Sequence, residues 1–279
     1  MSDDDYRQAS LRVWEEMAAG WEGDRTFLWD ASRGVGEWMV DALDPQPGET
    51  ILELAAGVGD TGFAAAARVG PSGRLITTDF SQPMVGAARR RAQELGISNA
   101  EFRTMDAERM DLEDGSIDGV LCRWGYMLMA DPVAALSETK RVLRDGGRVA
   151  FSVWGDPARN LWASVPGRLV LEHTGAPHPD PQAPGIFAMA SEERTRELLG
   201  AAGLEPRRME TVDMEWLFES PDDHWHMVVD MAGAIAMVLR SLPADEQAAV
   251  RERVEQELRP RAQGDGYRIE ASCVNVLAA

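Results

Sequence analysis

The sequence predicts an α/β fold organised around a doubly wound, mostly parallel sheet. Three observations carry this. A short apolar strand at 50–54 runs into a glycine-rich turn and then a helix. From residue 50 to 154, strand-like and helix-like segments alternate, and each parallel connection needs such a crossover helix. Segment 117–122 is an apolar run fit for a strand buried on both faces.

The elements follow in order. Residues 8–43 are expected to be helical. Leu11, Trp14, Met17, Ala18 and Trp21 recur at spacings of three and four, and Trp29, Val35, Trp38, Met39 and Leu43 continue as a second helix. Asp44-Pro45-Gln46-Pro47-Gly48 breaks it. Strand 50–54 leads to helix 59–69, and strand 74–78 ends at Asp79. Ser81 is placed to cap a helix that runs through Leu95 and stops at Gly96. Strands at 100–104 and 117–122 come next, then Asp131 and Pro132 as N-cap and first residue of a helix. The turn 144–147 opens a fifth strand, 148–154.

Beyond 154 the pattern changes. Residues 155–190 are rich in proline, tryptophan and small residues, and 177–184 cannot be a long helix. Ser191 caps a helix ending at Gly203, 207–218 alternates like an exposed strand, and 221–258 reads as two or three helices. A closing strand is expected at 267–277.

Bulk numbers exclude several function classes. The chain has 279 residues and 44% hydrophobic content, enough for one sizeable α/β domain with insertions. Its net charge of −19 repels phosphate backbones and anionic membranes, so no nucleic-acid partner is expected. Cys122 and Cys273 lie too far apart for a disulfide framework, which fits a reducing cytoplasm. The acidic start, Met1-Ser2-Asp3-Asp4-Asp5, is not expected to act as a signal peptide, and with no window of 18 uncharged apolar residues no transmembrane helix or integral membrane contact is expected.

The glycine turn, Gly57-Val58-Gly59-Asp60-Thr61-Gly62, is literally GxGxxG and alone fits a dinucleotide enzyme. Glu53 points elsewhere, because a strand leading to a dinucleotide turn is usually apolar throughout. Asp79 suits a ribose in either reading. Asp106-Ala107, at the end of the third strand, discriminates: a carboxylate there accepts from an adenine amino group, and the next N–H meets a ring nitrogen.

On these residues the chain resembles the class I S-adenosylmethionine (SAM)-dependent methyltransferases, in particular the small-molecule branch that includes the ubiquinone and menaquinone biosynthesis C-methyltransferases. The resemblance covers roughly 48–154, with 191–213 and the last strand fitting more loosely. Five pieces match in order: Glu53 to Gly59, Asp79 to Met84, Asp106-Ala107, the strand ending at Arg123, and the turn from Val142 to Arg148. Ala55 stands where the family commonly has glycine, and Asp145 where it has proline.

The resemblance implies a Rossmann-like seven-stranded sheet whose last strand is antiparallel, with N-terminal helices and helical lid insertions. It implies SAM as cofactor and S-adenosyl-L-homocysteine as product. The candidate cofactor-binding residues are Glu53, Ala55, Gly57, Gly59, Asp79, Phe80, Met84, Asp106, Ala107, Arg123 and Trp124. Asp79 would hold the ribose, Phe80 and Met84 would flank adenine, and the backbone of Arg123 or Trp124 would meet the methionine part. Glu53 would hold the glycine loop and meet the SAM amine indirectly.

Candidate catalytic residues are His173, Tyr126 and His178. Histidine titrates near neutrality and suits a phenol or enol acceptor. The histidine spacings match no common ligand set, so no metal is expected. Trp154, Trp162, Phe187, Met189, Trp216, Phe218, Trp225, Met227, Met231 and Met237 form an aromatic and methionine-rich set, most of it expected as core and part of it as the lining of an apolar acceptor pocket. The expected organisation is a helical lid at 1–47, a SAM-binding core at 48–154, a lid insertion at 155–190, a core helix and strand at 191–218, a helical lid insertion at 219–262 and a closing strand at 263–279, all in one domain.

The function expected is methyl transfer to an apolar small molecule, at oxygen or carbon. Three alternatives stand beside it: a methyltransferase of protein or RNA, an NAD(P)-dependent oxidoreductase using GxGxxG, and a SAM-binding protein that does not methylate.

Overall fold

The computed structural model describes residues 2–279. Two helices open the chain, α1 (Asp3–Gly23) and α2 (Arg25–Leu43). Helix α1 starts five residues earlier than its apolar stripe suggests. Ser2 and Asp5 form a reciprocal capping box, and that local polar exchange extends the helix beyond its buried face.

An alternating series follows: β1 (Thr50–Leu54), α3 (Asp60–Val69), β2 (Arg74–Asp79), α4 (Gln82–Leu95), β3 (Ala100–Thr104), β4 (Ile117–Arg123), α5 (Pro132–Val142) and β5 (Leu143–Trp154). Then come α6 (Leu161–Thr174), α7 (Glu192–Ala201), β6 (Pro206–Phe218), α8 (Pro221–Met231), α9 (Ala234–Ser241), α10 (Ala244–Leu258), β7 (Ala262–Gln263) and β8 (Gly266–Ala278). The caps expected from sequence are present. Ser81 Oγ accepts from Met84 N, Asp131 Oδ1 from Ala134 N, and Ser191 Oγ from Arg194 N.

The sheet order is β3-β2-β1-β4-β5-β8-β6. Strands β1 to β5 pair in parallel, and β8 is antiparallel to both β5 and β6. The sheet is mostly parallel with an antiparallel last strand, as expected; beyond the seven expected strands a two-residue one, β7, pairs only with β8. Strand β5 takes in the turn at 144–147, which forms a bulge between Ile117↔Leu143 and Gly119↔Arg148.

The core needs no alternation because helices cover both faces. Ile51, Leu52, Leu75, Ile76, Val120, Leu121, Val149 and Phe151 are all buried. The strand order reverses between β1 and β4, so a crevice opens at their carboxyl ends. Strands β6 and β8 run on past the end of β5: Trp154 pairs with Cys273, Cys273 with Val212, and Trp216 lies four positions further. Trp216 therefore stands above the carboxyl edge of the sheet.

Helices α1, α6, α8, α9 and α10 pack on one another above that edge. Helix α6 was hidden in the proline-rich stretch 155–190. Trp162, Val165, Leu169 and Val170 give it a buried face strong enough to hold Pro166 inside the helix.

The junction of β1 and α3 rests on one side chain. Gly62 N donates to Glu53 Oε1 at 2.7 Å, and a Cβ on Gly62 would collide with the Glu53 carboxylate. Gly62→Ala should therefore lower stability by roughly 1–3 kcal/mol, the usual cost of forced overpacking. Urea denaturation measures it, and an unchanged midpoint would refute this account of the junction.

Candidate functional site

A cavity of about 1540 Å³ opens at the carboxyl ends of β1 and β4, beneath α1 and the helices after β5. Pockets for one drug-sized ligand span roughly 300–1,000 Å³. This one has room for more than one molecule.

Nine of the eleven expected cofactor residues line it: Ala55, Gly57, Asp79, Phe80, Met84, Asp106, Ala107, Arg123 and Trp124. They come from the ends of β1, β2, β3 and β4, so the sheet alone brings them together. Glu53 and Gly59 stand behind the wall; for Glu53 the expectation is a hold on the glycine loop with only indirect contact to the SAM amine. Glu53 is buried and turned toward the first turn of α3. Gly59 caps α3 at φ +88°, and a Cβ there would lie 2.5 Å from the Phe63 ring.

Asp79 closes β2 from inside the protein. Its carboxylate accepts from Gly57 N at 3.0 Å and Ser81 N at 2.9 Å, binding the glycine turn to the start of α4. Burial pushes its pKa up to about 6, partly offset by backbone N–H groups of Ser81, Gly57 and Phe80. Burial likewise pushes Glu53 up to about 8, against the Gly62 N–H and the nearby Arg123 charge. The Arg123 guanidinium donates to Thr61 Oγ1 at 3.0 Å and Ser32 Oγ at 3.1 Å, and lies 4.5 Å from the centre of the Trp124 ring.

The departure at Ala55 has a local compensation. Ala55 adopts φ +48°, a left-handed conformation that costs a side chain roughly 1–2 kcal/mol. Its methyl faces Gly125, where a Cβ would lie only 2.6 Å away. The glycine that the family has at the turn is matched here by a glycine on the opposite side.

Asp106 Oδ1 accepts from Glu108 N at 2.9 Å, so part of the carboxylate caps its own turn. Glu108 itself was not singled out from sequence. It is buried, accepts from Ala130 N at 2.9 Å, and takes Arg7 Nε at 3.0 Å with a further bond from Arg7 Nη2. Tyr6 OH donates to Leu128 O at 3.0 Å, and Trp21 Nε1 to Met231 O at 3.2 Å. Helix α1 is thus tied down at both ends across the cavity. The acidic residue beside Asp106-Ala107 was the available signal, but nothing local named Arg7 as its partner.

The candidate catalytic residues separate. His178 lines the cavity. His173 does not: it lies near the end of α6 with Nε2 3.2 Å from Glu246 of α10. Tyr126 is fully buried in the core, edge-on to Phe151, with its hydroxyl 2.7 Å from Thr139 Oγ1. Its side chain belongs to the packing between β5 and α5, which corrects the expectation for both residues. His224, in the first turn of α8, is buried against Trp162 O, and desolvation lowers its pKa to about 4.

The far side of the cavity is apolar, with Trp154, Trp162, Trp216, Met227, Met231 and Ile235 on its wall. Charged lining side chains such as Arg168, Asp180, Glu193, Arg194 and Glu197 are partly or fully exposed, and so form the rim.

A cleft at the strand reversal, carboxylates at the ends of β2 and β3, and an apolar second half have the form of an α/β enzyme with a nucleotide-type cofactor. The methyltransferase-domain family matches residues 45–163. The chain is 30% identical over 152 residues to aklanonic acid methyltransferase of Streptomyces sp. strain C5, covering 54% of this chain and 68% of that protein. It is 43% identical over 134 residues to a 37.1 kDa protein in transposon Tn4556 of Streptomyces fradiae, covering 48% of this chain but only 37% of that protein. A SAM-dependent methyltransferase from Aquifex aeolicus shares the fold, with TM-score 0.53, 17% identity, and 87% and 88% of the two chains covered. The chain belongs to the class I SAM-dependent methyltransferases.

Tyr126→Phe should lose about 1 kcal/mol, the worth of one buried hydrogen bond to Thr139 Oγ1, which still donates to Ala135 O, and keep kcat within about twofold. A large loss of kcat with unchanged stability would restore Tyr126 to the chemistry.

Proposed function

We propose that this protein moves a methyl group from SAM to an apolar small-molecule acceptor, at oxygen or carbon. The observation that carries the reading is convergence. Gly57, Asp79 and Asp106-Ala107 share one wall of a cavity whose opposite wall is aromatic and methionine-rich.

The residues present fit the cofactor. Gly57 lies at φ +54°, and the nearest atom to a Cβ there would be on the Trp21 ring at 3.7 Å, so the backbone is open to a ligand. Asp79 spends lone pairs on two backbone donors and retains others for ribose hydroxyls. Phe80 and Met84 offer surfaces to adenine, and Asp106 with the Ala107 N–H offers its amino group and ring nitrogen a matching pair. Backbone groups of Arg123 or Trp124 would meet the methionine end.

Bound SAM supplies a methyl on a sulfonium, which leaves readily. The protein's share is to align the acceptor, exclude water and receive a proton. Helix α1 and the helices after β5 serve as the cover. His178 is the candidate base, since it alone of the three lines the cavity. A covered cavity and a charge of −19 disfavour RNA as acceptor.

Calorimetry should find binding of S-adenosyl-L-homocysteine and none of NADH; the reverse would overturn the reading. Asp79 must be ionised to accept both ribose hydroxyls. With its carboxyl raised to about 6, affinity should fall as pH drops through that value, approaching about tenfold per pH unit below it. Asp79→Asn should bind weakly and lose this dependence.

The Arg7–Glu108 pair would hold α1 closed over the cofactor. Arg7→Gln should speed S-adenosyl-L-homocysteine dissociation by roughly three- to tenfold, as expected from losing a charge-assisted bond. Stopped-flow displacement measures it, and an unchanged rate would remove α1 as the gate.

A further inference from the structure

We propose that the Arg123 side chain binds the carboxylate at the amino-acid end of SAM, and so selects for ligands that carry one. The proposal rests on the methyl-transfer reading above and deepens it. The family resemblance implies only a backbone contact at Arg123 or Trp124; the guanidinium is a feature of this chain's own structure.

Arg123 ends β4, on the far side of β1 from β2 and β3. The carboxylates that suit adenosine stand at the ends of β2 and β3. A cofactor that starts there and crosses the glycine turn arrives at β4 with its amino-acid end. Arg123 lines the cavity, as do its neighbours Trp124 and Gly125.

The guanidinium is held from three sides. Nε donates at 3.0 Å to Thr61 Oγ1, in the first turn of α3, and Nη1 donates at 3.1 Å to Ser32 Oγ, on α2. Ser32 is itself anchored, because its hydroxyl donates to Leu28 O at 2.7 Å. The guanidinium carbon lies 4.5 Å from the centre of the Trp124 ring, a cation–π contact that restrains the fork. Trp124 is fixed in turn by stacking on Trp154 at 4.1 Å and by donating from Nε1 to Cys273 Sγ at 3.3 Å.

What this cation lacks is a counter-charge. Both of its acceptors are neutral hydroxyls, and it forms no ion pair among the described residues. Glu53 and Asp60 act on it from nearby, but each is engaged elsewhere: Glu53 Oε1 accepts from Gly62 N at 2.7 Å, and Asp60 Oδ1 from Arg91 Nε at 3.1 Å. Desolvation lowers the Arg123 pKa in spite of their charge. Two of the five guanidinium N–H donors are used, which leaves three. None of its nitrogens is sealed off without a partner, so the spare donors are reachable from the cavity.

The other arginines that line the cavity are taken. Arg7 pairs with Asp4 and Glu108, Arg168 with Glu172 and Glu257, and Arg194 with Glu197. Among the described residues, Arg123 is the lining arginine without an acid partner. A planar fork with spare donors matches a carboxylate, and a ligand anion would offset the cost of the unbalanced charge.

Calorimetry on the full chain tests this with three probes. They are S-adenosyl-L-homocysteine, its decarboxylated form, which keeps the amine, and methylthioadenosine, which lacks the whole amino-acid end. We expect the wild type to bind S-adenosyl-L-homocysteine roughly tenfold or more tightly than the decarboxylated form, the scale of charge-assisted hydrogen bonds. Arg123→Met should weaken S-adenosyl-L-homocysteine by roughly tenfold and leave the other two probes within about twofold of wild type. Arg123→Lys keeps the charge without the fork, and its preference for the carboxylate should lie in between. A wild type with no such preference overturns the proposal. So does a folded Arg123→Met variant that keeps the preference, or that weakens all three probes alike, the mark of a merely structural role. Should circular dichroism show Arg123→Met unfolded, Arg123→Lys decides: a reduced preference supports the proposal and an unchanged one overturns it. Failure of the wild type to bind any of the three probes would instead defeat the methyl-transfer reading itself.

Discussion

A carboxylate buried in the first strand holds the rest of the site in place. Glu53 takes the Gly62 N–H from the first turn of α3, and Gly62 has no side chain because the carboxylate occupies that space. The turn between them must then pass through left-handed conformations at Ala55, Gly57 and Gly59. Asp79 ties the same turn to β2 through the Gly57 N–H. Two acidic groups thus shape a backbone that a run of glycines would leave loose. Both pay in desolvation, which raises their pKa values.

Around this turn the molecule divides into a polar half and an apolar half. The polar half is built at strand ends, where backbone donors and short acidic side chains meet. The apolar half comes from segments after β5, whose tryptophans and methionines would otherwise be ordinary core. Helix α1 spans the two halves. It is bound near Asp106 through Arg7 and Glu108 and near α8 through Trp21. A ligand in either half would meet the same strap.

Local signals were most legible where chemistry is local. Strands β1 and β3 were bounded to the residue, and Ser81, Asp131 and Ser191 each cap the helix they precede. Helix α6 was missed because Pro166 and its proline-rich surroundings act as breakers locally, while its stability comes from burying Trp162, Val165 and Leu169 against distant helices. Tyr126 and His173 were assigned to chemistry because residue type and proximity to the site suggested it. Neither type nor position along the chain tells which way a side chain faces.

The sequence by itself determined the class of fold, the strand–turn–helix at Glu53 to Gly62, and the carboxylates at the ends of β2 and β3. These depend on periodicity, caps and turn chemistry, which act over a few residues. Only the tertiary structure decided that Glu53 stands behind the wall, that Arg7 reaches Glu108 across 101 positions, and that Trp124, Trp154, Trp162 and Trp216 pack on one another. Those outcomes depend on which distant segments pack together. Long-range burial sets that packing, and no short window of sequence contains it.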